Sequence, residues 1–286
     1  MNVAVLGLGN MGAALAERLI DTGHAVTVWN RSPGKATRLV ERGAREAGSP
    51  QDAVSGAQVA ILLLSNDAAV KAVALEGGVV GSLDKGTVLV DMSTVSPDTS
   101  RAVGANTPGG RFVDAPVLGG PGVFAQGKAK LLLGGNRETV ESLDVLWNDL
   151  SSGYYYTGSN GTATTLKLLS NLNLVGGTQL LMEAIVTARA HGFSDDVLRE
   201  VFGGSPAVAP GVRLRLDEIL NANYDGWWTL KLADKDIGLV QRLAEQAGLD
   251  LPLADASRGL IEKGIEAGYG DKDLQAMTEV LQRRAG

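Results

Sequence analysis

From Met1 to about Ser159 the chain alternates short apolar runs, rich in β-branched residues, with longer stretches that carry apolar residues at helical spacing. Val3 to Leu6, Ala25 to Trp29, Val59 to Leu64, Val88 to Asp91, Phe112 to Ala115, Leu131 to Leu133 and Tyr154 to Tyr156 are each bounded by glycine or polar turn residues and read as strands. Strands that alternate with helices predict a parallel sheet with crossover helices. Two helices open with serine then proline, at Ser49-Pro50 and Ser96-Pro97, where the hydroxyl caps free amides and proline suits the first turn. Beyond Ser159 the strand pattern stops. Helical stretches follow, separated by Gly192-Phe193-Ser194, Gly203-Gly204-Ser205-Pro206, Asn223-Tyr224-Asp225-Gly226 and Leu249-Asp250-Leu251-Pro252. The expected architecture is an α/β domain over residues 1–159 and an all-helical domain over residues 160–286, joined by a long helix.

That joining helix runs from Asn160 to His191-Gly192 and is mostly apolar. Leu166, Leu168, Leu169, Leu172, Leu174, Val175, Leu180, Leu181, Met182, Ile185 and Val186 point in nearly every direction around its axis, which predicts burial on most sides. Lys167 and Asn171, two of its polar residues, are four apart and share a face. Taken alone, such a lysine reads as one that snorkels to water from a core helix.

Composition narrows the function. At 286 residues the chain exceeds the roughly 250 at which a single core stops growing, which agrees with two domains. Its 26 basic and 32 acidic residues give a net charge of −6 without a long run of either sign, so nucleic acid and anionic membrane are poor partners. There is no cysteine, which excludes disulfides, thiol nucleophiles and thiolate metal sites. No targeting segment is evident and no apolar run reaches the roughly 18 residues of a membrane span, so a cytoplasmic protein is expected.

The strongest motif is Gly7-Leu8-Gly9-Asn10-Met11-Gly12, a G-x-G-x-x-G that follows a strand and opens a helix running to about Asp21. The first glycine permits the tight turn, the second lets a pyrophosphate approach the backbone, and the third lets helix pack on strand. The α/β domain is therefore read as a Rossmann dinucleotide-binding domain. The bland alternative is a glycine-rich turn without a ligand. The second strand ends at Trp29-Asn30-Arg31-Ser32, where NAD-binding versions carry an acid for the ribose 2′-hydroxyl. Asn30 removes that acid, while Arg31 and Ser32 offer a cation and a hydroxyl donor, so NADP(H) is the expected cofactor.

At this point the chain resembles the β-hydroxyacid dehydrogenase family, which includes 3-hydroxyisobutyrate dehydrogenase, tartronate semialdehyde reductase and glyoxylate reductases, with imine reductases as relatives. The resemblance spans essentially the whole length. It rests on Gly7 to Gly12, on Asp114-Ala115-Pro116-Val117-Leu118-Gly119-Gly120, on Gly161 with Lys167 and Asn171, and on Lys235-Asp236-Ile237-Gly238-Leu239. It implies that Lys167 is the catalytic acid/base, that Asn171 positions it, and that Gly119 and Gly120 belong to the substrate site. It also implies that Ser65, Thr94 and Lys235 lie at the cofactor, and that the protein is a homodimer or homotetramer.

Elementary chemistry agrees. Hydride transfer between a nicotinamide and a carbonyl requires a proton donor for the oxygen, and a buried lysine can supply one, its pKa lowered toward neutrality. Asn171 can accept from the ammonium or hold the substrate oxygen, and paired amides at Gly119 and Gly120 suggest a small anion nest. No metal is required. The sequence departs from the family at Leu118, where serine is usual. Loss of that hydroxyl, with Trp227 and Trp228 as further apolar candidates, suggests a more apolar pocket than a small hydroxyacid needs, although the tryptophans read equally well as core.

His24 precedes a strand and His191 ends a helix, where a cation suits the dipole, so neither is assigned chemistry. Gly203-Gly204-Ser205-Pro206 is a loop rather than a nucleophile elbow, and Glu183 is a structural carboxylate. The leading expectation is an NADP(H)-dependent oxidoreductase acting on a small aldehyde, keto acid or 3-hydroxy acid. Two alternatives stand beside it: an NADPH-dependent imine reductase, and a non-catalytic module that binds NADPH.

Overall fold

A computed structural model describes residues 1–282. The chain divides into two compact units, Met1–Lys167 and a second that begins at Leu168.

The first unit holds nine strands: β1 (Asn2–Leu6), β2 (Ala25–Trp29), β3 (Arg45–Glu46), β4 (Val59–Leu62), β5 (Val88–Asp91), β6 (Phe112–Asp114), β7 (Val117–Leu118), β8 (Lys130–Gly135) and β9 (Tyr154–Gly158). They form one sheet in the order β3-β2-β1-β4-β5-β6-β8-β7, with β9 paired to β8. Alternation along the strands sends Val3 and Val5 into one apolar cluster with Leu15, Leu19 and Val90, and Ala4 and Leu6 into another with Val54, Leu62 and Leu89, so both faces are covered. Each fully buried valine or leucine side chain here contributes about 1.5–3 kcal/mol. The serine caps form as expected: Ser49 accepts from the Asp52 amide and Ser96 from the Thr99 amide.

The sheet is parallel only as far as β6. Strand β8 runs antiparallel to β6 and β7, and β9 follows β8 in parallel. Only eleven residues separate Leu118 from Lys130, and one five-residue helix, Pro121–Ala125, lies among them. That is too short for a crossover back to the starting edge, whereas an antiparallel return needs none. The two-residue strands β3 and β7 are too brief to show any periodicity.

The long helix spans Thr162–Ala190. In the second unit its residues Val175, Met182 and Ile185 share a core with Ile219, Trp228, Ile237, Ile261 and Met277, drawn from helices that include Leu216–Leu220, Leu230–Gln246 and Pro252–Gly264. The helix is less enclosed than its composition suggests. Leu166, Leu169 and Leu180 are 47%, 39% and 59% exposed, because the helix carries more apolar residues than this core covers. Among the described residues no helix is long and apolar enough to cross a membrane.

Register carries functional meaning in the sheet. Trp29, Leu6, Leu62, Asp91 and Asp114 are successive Cα partners across β2, β1, β4, β5 and β6, so five strands end on one line. Asp91 on that line is fully buried, and burial pushes its carboxyl up to about 7, against the Ser93 hydrogen bonds and with the charges of Asp114 and Asp67. A raised folded-state pKa favours the native state at low pH, an advantage lost between the ordinary carboxylate value near 4 and about 7. Asp91→Asn, which keeps the Ser93 contact, is expected to gain stability relative to the parent by up to about 1.4 kcal/mol per pH unit across that window, and no more above it. Denaturant melts of both proteins from pH 4 to 8 provide the check, and a constant difference would contradict the assignment.

Candidate active site

Apart from Lys235, which lies on the helix Leu230–Gln246 of the second unit, each candidate cofactor residue lies just past the line on which the strands end. Gly7 follows β1 and its amide donates to the Trp29 carbonyl at 2.9 Å. Its φ is +106°, and a Cβ there would sit 2.3 Å from the Leu63 carbonyl oxygen, so only glycine fits. Gly12 lies in the first turn of the helix Asn10–Asp21, where a Cβ would fall 1.9 Å from the Gly7 oxygen. Gly9 is different. A Cβ on it would meet no protein atom within 4 Å, so packing does not demand glycine there. Gly9 also precedes the helix without capping it through any side chain, which leaves first-turn amides for an anionic group. These residues fit a dinucleotide pyrophosphate: two glycines are required by the fold, and the third keeps the backbone bare where the ligand would approach.

Asn30 joins this loop to the end of β2. Its Oδ1 accepts from the Leu8 amide at 2.9 Å and its Nδ2 donates to the Ser32 carbonyl at 2.9 Å. Arg31, Ser32 and Lys35, which follow it in the chain, are exposed, and Lys35 adds a second cation to this loop. Asn10 is exposed and Met11 half-buried at the helix start. After β4, the Leu64 amide donates to Ser93 Oγ at 2.9 Å, and the Ser93 amide donates to Asp91 Oδ1 at 2.8 Å. This chain of bonds couples the loop carrying exposed Ser65 to the loop carrying half-buried Thr94.

Leu118 lies on β7 opposite Lys130, and Leu118, Gly119 and Gly120 are all half-buried. Gly119 has φ +149°, and Gly120 has φ −89° and ψ 175°. Gly120 is extended, whereas Gly119 holds a positive φ that favours glycine.

Lys167 is half-buried, one turn beyond the start of the long helix. That start is held from a distance. Asp114 Oδ1 accepts from the Gly161 amide at 3.1 Å and Oδ2 from the Thr164 amide at 3.2 Å. Burial pushes the Asp114 carboxyl up, and the hydrogen bonds from Gly161, Thr164 and Asn160 oppose that shift. Asn160 Nδ2 also donates to the Phe112 and Gly134 carbonyls, each at 3.2 Å.

In the second unit, buried Asn171 donates through Nδ2 to Asp236 Oδ2 at 2.7 Å. The same oxygen accepts from the Trp228 indole N–H at 3.2 Å, and Lys235 Nζ lies 2.9 Å from Asp236 Oδ1. Asp236 therefore gathers three of the candidates, a role its neighbour Lys235 overshadowed in the sequence. Trp228 is 5% exposed and stacks at 6.3 Å on half-buried Trp227, which makes it a core side chain with its polar edge satisfied. His24 pairs with Asp149 at 3.1 Å, His191 Nδ1 lies 2.9 Å from the Thr187 carbonyl, and Glu183 is exposed. Among the described residues no group of three or more His, Cys, Asp or Glu side chains is arranged to hold a metal ion.

Residues 2–158 match the family model for the NAD binding domain of 6-phosphogluconate dehydrogenase, and residues 161–281 match that for the NAD-binding domain of NADP-dependent 3-hydroxyisobutyrate dehydrogenase. The chain belongs to the β-hydroxyacid dehydrogenase family. Glyoxylate/succinic semialdehyde reductase 1 of Arabidopsis thaliana is 30% identical over 99% of both chains. The structure of 3-hydroxyisobutyrate dehydrogenase from Salmonella typhimurium superposes with a TM-score of 0.91 at 24% identity, covering 98% of this chain and 99% of the other. An imine reductase from a Pseudomonas species, 25% identical with the same coverage, gives 0.65. As a member of the family, the protein is an oxidoreductase that uses a nicotinamide dinucleotide.

The glycines separate fold from ligand. Gly12→Ala is expected to destabilise the protein by about 1–3 kcal/mol through overlap with the Gly7 carbonyl. Gly9→Ala is expected to leave the melting temperature within about 2 °C of the parent and to weaken binding of the nicotinamide dinucleotide at least tenfold, roughly 1.4 kcal/mol. Calorimetry and fluorescence titration measure the two effects; equal loss of stability in both variants would refute the distinction.

Proposed function

We propose that this family member is an NADP(H)-dependent reductase of small aldehydes or keto acids, also able to run the reverse oxidation of a 3-hydroxy acid, with Lys167 as acid/base. The observation that carries the reading is the hydrogen bond from Asn171 to Asp236. A carboxylate in an ion pair only accepts, so the amide NH2 faces Asp236 and the Asn171 carbonyl oxygen is turned the other way. Asn171 and Lys167 stand on successive turns of one helix, so that oxygen is an acceptor for an ammonium or for a substrate hydroxyl on the same helix face.

Gly9, the first-turn amides after it, and the loops of Ser65 and Thr94 would hold the dinucleotide. When bound, the nicotinamide supplies the hydride in reduction and accepts it in oxidation. The protein's task is the proton. In reduction Lys167 Nζ donates to the carbonyl oxygen as it becomes an alcohol, and in oxidation neutral Nζ takes the hydroxyl proton. NADP(H) is favoured over NAD(H) because Asn30 puts a neutral amide, already engaged with Leu8 and Ser32, where an acid would repel a 2′-phosphate, with exposed Arg31 adjacent. The Arabidopsis relative, named for reduction of glyoxylate and succinic semialdehyde, supports a short semialdehyde or oxoacid substrate. Half-buried Leu118, in the place of a hydroxyl, favours the second reading, an imine reductase.

A panel of glyoxylate, succinic semialdehyde and short hydroxyacids against cyclic imines, followed by NADPH absorbance, separates the two readings; faster turnover of imines would overturn the first. Lys167→Ala is expected to lower kcat on the best carbonyl about 10²–10⁴-fold, and activity within a few-fold of the parent would sink the acid/base role. Arg31→Ala is expected to raise KM for NADPH roughly 10–100-fold, the worth of a charge-assisted hydrogen bond, with KM for NADH little changed. Equal effects on both cofactors would refute 2′-phosphate recognition.

A further inference from the structure

The helix carrying Lys167 has a start whose first turn is satisfied by groups far away in sequence. Oδ1 and Oδ2 of Asp114, at the end of β6, each take a different amide, Gly161 on one side and Thr164 on the other. Asn160, just before the helix, is pinned by its Nδ2 to the carbonyls of Phe112 on β6 and Gly134 on β8. Thr164 Oγ1 lies 3.1 Å from Ser100 Oγ, on the helix Pro97–Asn106. Gly161 enters the helix at φ +90°, and a Cβ there would meet the Arg101 guanidinium at 2.9 Å and the Pro97 carbonyl at 3.1 Å.

A carboxylate that bridges two amides in one turn fixes rotation as well as position. Slipping the helix by one residue would rotate it by about 100° and move it about 1.5 Å, which would break both contacts. Lys167 follows Thr164 by three residues, roughly 4.5 Å along the axis. We propose that Asp114 is a positioning residue for Lys167: by holding the Gly161 and Thr164 amides it sets the direction in which the lysine leaves the helix. The proposal rests on the acid/base reading of Lys167. The reaction is sensitive to this direction because displacing a reacting group by about 1 Å can cost on the order of 10²-fold in rate.

Two variants disturb the contact by different means. Asp114→Asn keeps the shape but turns an N–H toward one of the two amides. Gly134→Ala keeps the charge and places a methyl 2.7 Å from Asp114 Oδ1 and 2.9 Å from Oδ2, pushing the carboxylate aside. Both are compared with the parent, with Lys167→Ala, and with the Asp114→Asn/Lys167→Ala double variant. The measurements are amide hydrogen exchange at residues 161–167, NADPH affinity, and kcat with succinic semialdehyde. Both single variants are expected to speed exchange at Gly161 and Thr164 and to lower kcat about 10–100-fold, with NADPH affinity changed less than about threefold. In the Lys167→Ala background, Asp114→Asn is expected to change kcat by less than about threefold, because both substitutions remove one function.

An equal loss of kcat in both backgrounds would mean that Asp114 serves only stability, and the proposal would fail. Parent-like kcat in Asp114→Asn and Gly134→Ala, beside an inactive Lys167→Ala, would overturn the positioning role and leave the acid/base reading intact. An active Lys167→Ala would overturn both. Should Asp114→Asn not fold, Gly134→Ala decides by the same criteria.

Discussion

A buried carboxylate at the end of β6 accepts the amides of Gly161 and Thr164, and through that contact the sheet sets where a 29-residue helix begins. Helix starts leave amides without partners, and burying them unpaired is costly. Here the partner is a side chain about fifty residues earlier. Burying Asp114 is in turn tolerable because those amides, with Asn160, oppose the upward push on its pKa. Each side of the contact removes the other's penalty, which is why neither reads as functional in isolation.

The same sheet edge gathers the candidate dinucleotide residues by register. Because Trp29, Leu6, Leu62, Asp91 and Asp114 are partners across five strands, the glycine loop, Asn30 and the loops of Ser65 and Thr94 all leave from one edge. The loops are then tied laterally by short polar links, Leu8 to Asn30 and Leu64 through Ser93 to Asp91. Loops braced in this way lose less freedom when a ligand binds, so more of the interaction appears as affinity.

In the helical unit a second buried carboxylate has an organising part. Asp236 holds the Asn171 amide and the Trp228 indole on one oxygen and meets Lys235 on the other. Removing it would take the acceptor from the Asn171 amide and the Trp228 indole, the costly way to disturb a buried network. The proposed proton chemistry thus relies on two acids that need not touch a substrate: Asp114 at the foot of the helix and Asp236 behind Asn171.

By itself the sequence determined the α/β character of the first half, the helical second half, the glycine loop and the extent of the long helix, because these depend on local periodicity and on glycines with few alternatives. It also marked Lys167 and Asn171, since two polar residues four apart on an apolar helix share a face whatever surrounds them. Tertiary structure alone decided the rest. The antiparallel β8 followed from a short connection, the two-residue strands had no period to read, and the exposure of Leu166, Leu169 and Leu180 depended on how much of the helix its core could cover. Tertiary structure likewise placed Trp228 in the core and gave Gly119 a positive φ. Asp114 and Asp236 stood in recognisable motifs, yet their parts were illegible in a linear chain. Each depends on hydrogen bonds across 47 to 65 residues, and only folding brings such donors and acceptors within 3 Å or so of each other.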